Sequence, residues 1–160
     1  MDTVFTTQRI RFVSVSESLI AEYLAMVNDV EHVARFIGPR REPITAEQER
    51  RWVKKKLAED AAVFSMLEKA TGAFIGNIEL MGVADGKAEL GVAITAAMQE
   101  KGYGTEALPA MIRYGMETLN LRSIFLKVYP DNARAIHVYE KCGFRAYDRT
   151  EKDVFMEITQ

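Results

Sequence analysis

Two β-rich runs separated by a glycine loop and one helix constrain this chain more than any other feature. Residues 88–94 (AELGVAI) and 123–129 (SIFLKVY) enclose a stretch that begins with the polar Gln99-Glu100-Lys101 and passes Gly102 and Gly104. It then reads as helix to about Asn120, with Leu108, Met111, Ile112 and Leu119 on one side. A strand–helix–strand unit of this kind brings its second strand back parallel to the first. The residues before it follow a period of two: a strand over Ala62–Glu68, a turn at Thr71-Gly72, a second strand over 73–81, a hairpin signal at Asp85-Gly86, then 88–94 itself. An antiparallel meander therefore leads into a single parallel pair.

The flanks complete the pattern. Residues 8–15 (QRIRFVSV) alternate as a first strand. Ser16 or Ser18 can cap a helix whose apolar face is Leu19, Ile20, Tyr23, Leu24 and Val27. Residues 28–44 read as irregular, broken by Gly38-Pro39 and Pro43. Thr45 with Gln48 forms a capping box for a charged helix to about Leu57, with Trp52, Val53 and Leu57 facing inward. Pro109 removes a backbone donor in the second turn of the later helix and predicts a small kink or an early 3₁₀ start. Pro130 ends the 123–129 strand, Asn132 caps a short helix closed by Gly143, and 144–149 with 153–158 make a final hairpin. The fold class is α+β: a mixed, mostly antiparallel sheet of six to seven strands with one parallel pair and about four helices on its faces. Residues 1–160 read as one domain.

Composition narrows the function. At 160 residues the chain can bury a core without disulfide or metal staples, and 48% hydrophobic with 28% charged residues suits a globular protein. A net charge of −2 gives no positive field for nucleic acid or an anionic membrane surface. The lone Cys142 cannot form an internal disulfide, and MDTVFTTQRIRF lacks the apolar run of a signal peptide, so a cytoplasmic location is expected.

The glycine loop is compatible with three phosphate-binding patterns. A Walker A string, G-x-x-x-x-G-K-[ST], does not occur. Gly102-Tyr103-Gly104-Thr105-Glu106-Ala107 matches the dinucleotide fingerprint in letters. However, three polar residues separate the strand from the first glycine, only one strand–helix–strand unit is present, and no acidic residue ends a strand some twenty positions on. The remaining pattern is Q-x-x-G-x-G, met by Gln99, Gly102 and Gly104. Backbone N–H groups at a helix N-terminus make an anion site there, and absent Cβ atoms let the backbone approach a pyrophosphate. Glycines serving only to turn and cap the chain are the alternative.

A second motif lies downstream. In VYPDNARAIHVYEKCGF (128–144), Asn132, Ala135, Tyr139 and Gly143-Phe144 stand at the spacing N-x-x-A-x-x-x-Y-x-x-x-G-F. With IGNIEL (75–80), AELGVAI (88–94) and QEKGYGTEAL (99–108) in this order, the chain resembles the GNAT acetyltransferase superfamily over about residues 8–158. It looks closest to the branch of ribosomal-protein N-terminal acetyltransferases and spermidine acetyltransferases. The resemblance implies a GNAT fold in which strands 88–94 and 123–129 splay apart to receive acetyl-CoA. It implies that the backbone of Val92, Ala93 and Ile94 pairs with the pantetheine amides. It also implies that the N–H groups of Gln99, Glu100, Lys101, Gly102, Tyr103, Gly104 and Thr105 hold the pyrophosphate, and that Asn132 contacts the pantetheine arm or the adjacent backbone. Asn132 is equally an N-cap, and both roles are compatible.

By the same resemblance Tyr139 is the proton donor to the departing thiolate, although a tyrosine on the face shared with Ile136 is ordinarily core. A thiol of pKa about 8.5 needs a proton as it leaves, and a phenol can supply one. The acceptor is an amine, whose ammonium form, with a pKa of about 10, must lose a proton before attacking. Glu89, on the strand that carries the base in histone-acetylating relatives, is one candidate base and Glu79 the other; either could instead be a solvated or paired strand carboxylate. One relative branch places a base glutamate on the strand matching 123–129. Phe125-Leu126-Lys127 offers lysine instead, so that assignment does not carry over.

Cys142 lacks a histidine partner and reads as a small helix residue; His137 and His32 have no evident third ligand, so no metal is expected. Arg50, Arg51, Lys54, Lys55 and Lys56 read as a solvated helix face. The expectation is an N-acetyltransferase that uses acetyl-CoA and an amine acceptor, with Phe36, Arg40 and Arg41 as acceptor contacts, no nucleic acid or membrane partner, and a homodimer left open. A non-catalytic acyl-CoA sensor is the other reading.

Overall fold

The structure, a computed structural model, describes residues 1–38 and 42–160. The chain divides into two compact units, Met1–Glu79 with Val92–Tyr103, and Leu80–Gly91 with Gly104–Gln160.

The first unit opens with an element the sequence pattern did not announce. Strand β1 (Thr3–Thr6) pairs antiparallel with β2 (Ile10–Ser14). The Thr-rich segment is held by one side chain: the Phe5 ring stacks on Phe12 at 4.3 Å and meets Phe64 edge-on at 5.6 Å. Ser16 caps a 3₁₀ turn (Glu17–Leu19) by accepting from the Ser18 N–H, and α1 (Ile20–Val27) follows with Ile20, Tyr23 and Met26 buried. The segment expected to be irregular is partly helical, with a π-type turn (Val30–Ala34) capped by Asp29 and a single turn α2 (Arg35–Ile37). Asn28 reaches across it, donating to the Ile44 carbonyl at 2.9 Å and accepting from the Ile44 N–H at 2.8 Å.

Helix α3 (Ala46–Ala58) has both capping-box bonds: the Gln48 N–H donates to Thr45 Oγ1 and the Thr45 N–H to Gln48 Oε1. Thr45→Ala should therefore lower stability by about 1 kcal/mol, read as a shifted urea midpoint at constant m-value. Val53 of this helix is fully buried and Trp52 meets Tyr23 edge-on at 6.1 Å. Leu57, expected to face inward, is 53% exposed, because at the helix end it lies past the stripe set by Val53. Strand β3 (Ala62–Glu68) pairs antiparallel with β2. Strands β4 (Phe74–Ala84) and β5 (Lys87–Ile94) are joined by Asp85-Gly86, whose φ values of +54° and +76° are those of a type I′ hairpin turn.

In the second unit, α4 (Tyr103–Arg113) begins in the glycine loop and runs through Pro109 without a break; the irregularity comes later, as a π-type turn (Tyr114–Thr118). Asn120, at φ +57°, ends it, and the Leu121 N–H closes back on the Gly115 carbonyl at 3.0 Å. Strand β6 (Ser123–Val128) pairs parallel with β5 in the register Lys87↔Ser123, Ala88↔Ile124 and Glu89↔Phe125; β5 continues to Ile94 and β6 to Val128. Helix α5 (Ala133–Lys141) and the antiparallel hairpin β7 (Arg145–Arg149) and β8 (Val154–Thr159) follow, with β8 inserted beside β6. The strand order is β1-β2-β3-β4-β5-β6-β8-β7. The sheet thus has eight strands rather than six to seven, and the described residues form five α-helices rather than four; β1 and the short α2 are the additions. No helix among the described residues is long and apolar enough to cross a membrane.

Candidate active site

In the first unit the chain leaves β5 through a 3₁₀ turn (Ala96–Met98) and enters the glycine loop. Gln99 fastens the loop. Its side-chain amide donates to the Ile94 carbonyl at 2.9 Å and the His32 carbonyl at 3.0 Å, and its own N–H is occupied by Ala96 O. Beyond it the backbone alternates in handedness, with φ of +61° at Glu100 and +82° at Gly102 and a negative value between them. Alternation of this kind is the backbone pattern of nests, in which successive N–H groups turn toward one side. Glycine is required at 102, and its exposed N–H has no acceptor among the described residues. Val92, Ala93 and Ile94, half-buried, lie beside β4: a Cβ on Gly76 would come within 2.0 Å of the Ala93 carbonyl oxygen, and the Thr95 N–H donates to Ile75 O at 2.9 Å. Glu79 is in this unit, and its carboxylate holds the Lys56 ammonium at 3.4 Å.

Gly104, Thr105, Asn132, Tyr139 and Glu89 belong to the second unit. Gly104 and Thr105 are in the first turn of α4. Asn132 caps α5, its Oδ1 accepting from the Ala135 N–H at 3.3 Å. The capping role is therefore filled by the carbonyl oxygen alone. The Tyr139 ring packs edge-on against Phe144 at 5.8 Å, and the helix ends directly behind it through Gly143 at φ +103°. Burial, with a smaller contribution from Cys142, pushes the Tyr139 phenol up to about 12, although the residue as a whole is only half-buried. Among the described residues nothing hydrogen-bonds its hydroxyl. A neutral phenol with an uncommitted proton can serve as a general acid; the upward shift keeps it loaded with that proton while making it a weaker acid. Glu89 is half-buried on β5 opposite Phe125. Cys142 is at the helix C-cap, where burial pushes its thiol up, against the pull of Lys141; this is the opposite of an activated nucleophile.

The GNAT acetyltransferase domain family matches residues 9–145. The chain belongs to the GNAT acetyltransferase family. Among curated relatives, the spermidine N(1)-acetyltransferase of Vibrio cholerae is 32% identical over 92 residues, which is 56% of this chain and 53% of that enzyme, so the match spans about half of the relative's length. Two solved structures share the fold. A GNAT acetyltransferase from Bacillus anthracis superposes with a TM-score of 0.83 at 19% identity, covering 96% of each chain. The Vibrio cholerae spermidine N-acetyltransferase in complex with CoA and spermine gives 0.79 at 21%, covering 96% of this chain and 97% of that one.

Within this GNAT chain the structure adds loop residues that sequence reading missed. Arg9, 92 positions away, donates to the Lys101 carbonyl at 3.0 Å and lies over the Tyr103 ring at 4.3 Å. Tyr103 is itself buried, and its hydroxyl donates to Glu68. That bond, followed by one from Thr71 and helped by the charges of Lys101 and Arg9, holds the Glu68 carboxyl below the usual carboxylate range. The GNAT loop thus sits on a small ionic footing, for which the sequence carried no local signal. Lys56, expected on a solvated face, instead reaches Glu79, whereas Arg51 and Lys55 pair along their own helix with Glu47 and Glu59. Phe36 lies beneath the Arg35 guanidinium; Arg40 and Arg41 lie outside the described residues. No cluster of three or more potential metal ligands occurs among the described residues.

Proposed function

We propose that this chain is an acetyl-CoA-dependent N-acetyltransferase that transfers acetyl directly to a primary amine, and that residues 1–160 act as one such domain. The observation that carries this reading is the Tyr139 hydroxyl, which keeps its proton well into the alkaline range and is uncommitted to any described residue. In a sensor that only holds acyl-CoA, a polar hydroxyl in this state would have no task.

The chemistry follows from the groups present. The nest at Glu100 and Gly102, with the start of α4, takes the pyrophosphate. The backbone at 92–94 takes the pantetheine amides, and the Asn132 amide nitrogen, left over from capping, takes an oxygen of the same arm. The amine nitrogen, once deprotonated, attacks the thioester carbonyl carbon. The tetrahedral adduct collapses with C–S cleavage, and the Tyr139 proton passes to the thiolate. Glu89 is the preferred base for the amine proton, directly or through water, because the Glu79 carboxylate is already engaged by Lys56.

Incubation with acetyl-CoA and a panel of amino-acid amides, peptides and polyamines, read as released thiol, is expected to show turnover with at least one acceptor. Tight CoA binding with no thiol release across the panel would leave the sensor reading in its place.

A further inference from the structure

A buried chain of hydrogen bonds in the first unit fixes the direction of one half-buried amide. Tyr23 and Ser65 are fully buried. The Ser16 N–H donates to the Tyr23 hydroxyl at 3.1 Å, Tyr23 and Ser65 share a bond of 2.5 Å, and Ser65 Oγ lies 2.8 Å from Asn77 Oδ1. The order of donors is decided by counting protons. Tyr23 already accepts from Ser16, and its one proton, retained because burial raises its phenol, has Ser65 as its partner. Ser65 therefore accepts from Tyr23, and its own proton must go to Asn77. If the Asn77 amide were reversed, Ser65 would receive protons from both neighbours and its own would be buried without an acceptor. The chain thus locks the Asn77 oxygen inward and its NH₂ outward. Asn77 is half-buried, and its two N–H donors have no acceptor among the described residues.

This amide is on the strand that lies against residues 93 and 94, part of the segment proposed above for the pantetheine arm. Asn77 directly follows Gly76, whose backbone is pressed against the Ala93 carbonyl and Ile94. On the same face of β4, two residues on, is Glu79 with the Lys56 ammonium. The face therefore presents two oriented N–H donors next to an engaged ion pair. Such donors suit an oxygen. Apart from its reacting nitrogen, a polyamine brings only ammonium donors, and two sets of donors cannot pair with one another.

We infer that Asn77 is a specificity-determining residue whose outward NH₂ binds an oxygen close to the reacting nitrogen. The chain accordingly prefers acceptors of the amino-acid or peptide class, an amine within a few bonds of a carbonyl or carboxylate, over oxygen-free polyamines. The inference rests on the acetyltransferase reading for its kinetic test but not for its binding test.

The informative variant is Asn77→Asp. It keeps an acceptor for Ser65 and replaces the outward donors with an anionic oxygen. With alaninamide as acceptor, kcat/KM should fall by about tenfold or more, while with spermidine it should hold or rise. An unchanged ratio between the two substrates in a folded Asn77→Asp protein overturns the inference. The binding test uses the wild-type protein. Its Asn77 side-chain NH₂ resonances, identified by their absence in Asn77→Asp, should shift on titration with alaninamide and not with butylamine. Turnover without such a shift overturns the inference and leaves the acetyltransferase reading standing. A shift without turnover on any amine supports the oxygen-binding role of Asn77 and removes the acetyltransferase reading, and with it the preference among acceptors.

Discussion

Tyr139→Phe is expected to lower kcat by about a hundredfold or more and to leave the KM for acetyl-CoA nearly unchanged. The ring survives the substitution, so its edge-on contact with Phe144 and the end of α5 survive with it. Only the proton is removed, and a well-placed general acid typically contributes 10²–10⁴. Undiminished kcat would remove Tyr139 from the chemistry. The pH behaviour gives a second reading. Because the phenol is pushed up to about 12, it stays loaded with its proton across the range in which an amine becomes nucleophilic. The rate should therefore rise with pH as the acceptor deprotonates and then reach a plateau, with no fall near 10 as an ordinary tyrosine would give. The same shift has a stability consequence of definite sign. The folded chain holds this proton more tightly than the unfolded chain, whose tyrosine titrates at about 10. The associated stabilisation is complete below about 10 and is lost as pH rises through about 12. The Phe variant lacks this component, so between these limits its unfolding midpoint should fall less steeply than that of the wild type.

Gly76→Ala is expected to be the most damaging of the glycine-to-alanine changes in the first unit. An added Cβ would lie 2.0 Å from the Ala93 carbonyl oxygen, 2.9 Å from Ile94 Cα and 3.0 Å from the Ala93 carbonyl carbon. All three are backbone atoms, so no side chain can rotate away, and β4 would have to part from the end of β5. Overpacking ordinarily costs 1–3 kcal/mol, and contact with immovable backbone puts this case at about 3 kcal/mol or above. At this chain length that corresponds to a Tm lowered by about 6–12 °C. Binding of acetyl-CoA should weaken with it, since residues 92–94 are the ones displaced. Gly72→Ala provides the control. Gly72 has a φ of +78° and open space around it, so its substitution costs only the left-handed backbone penalty of about 1 kcal/mol. If the two variants were equally stable, the close approach of β4 and β5 at Gly76 would be wrong.

What could be read from the sequence was local, and what escaped it was not. The parallel pair of β5 and β6 followed from a strand, a loop and a helix in succession. The capping box at Thr45 and the turn at Asp85-Gly86 each lie within four residues, and all three are present in the structure. Strand β1 escaped because its Thr-rich letters carry no alternation and its place depends on Phe5 meeting Phe12 and Phe64. The turns at Val30–Ala34 and Arg35–Ile37 escaped because the flanking Gly38-Pro39 and Pro43 dominate any local reading. In the candidate site, the glycines and Tyr139 were visible as a motif. Arg9 under the loop, Lys56 on Glu79 and the line from Tyr23 through Ser65 to Asn77 were not, because each joins elements widely separated in the chain. Glycine positions carry a backbone requirement in their own letter, whereas an arginine or an asparagine acquires its role only from what the fold brings to it.

The grip of Arg9 on Lys101 and Tyr103 also bears on the order in which the protein is made. The segment entering β2 leaves the ribosome more than ninety residues before the loop it braces, and the loop's left-handed turns gain that brace only when the two meet. Closing so long a segment is slow compared with forming the turn at Asp85-Gly86 or the cap of α3. The nascent chain therefore assembles its helices and hairpins first and its braced glycine loop late. Order in the glycine loop, and with it the pyrophosphate site proposed there, arrives with completion of the first unit rather than with synthesis of the glycines themselves.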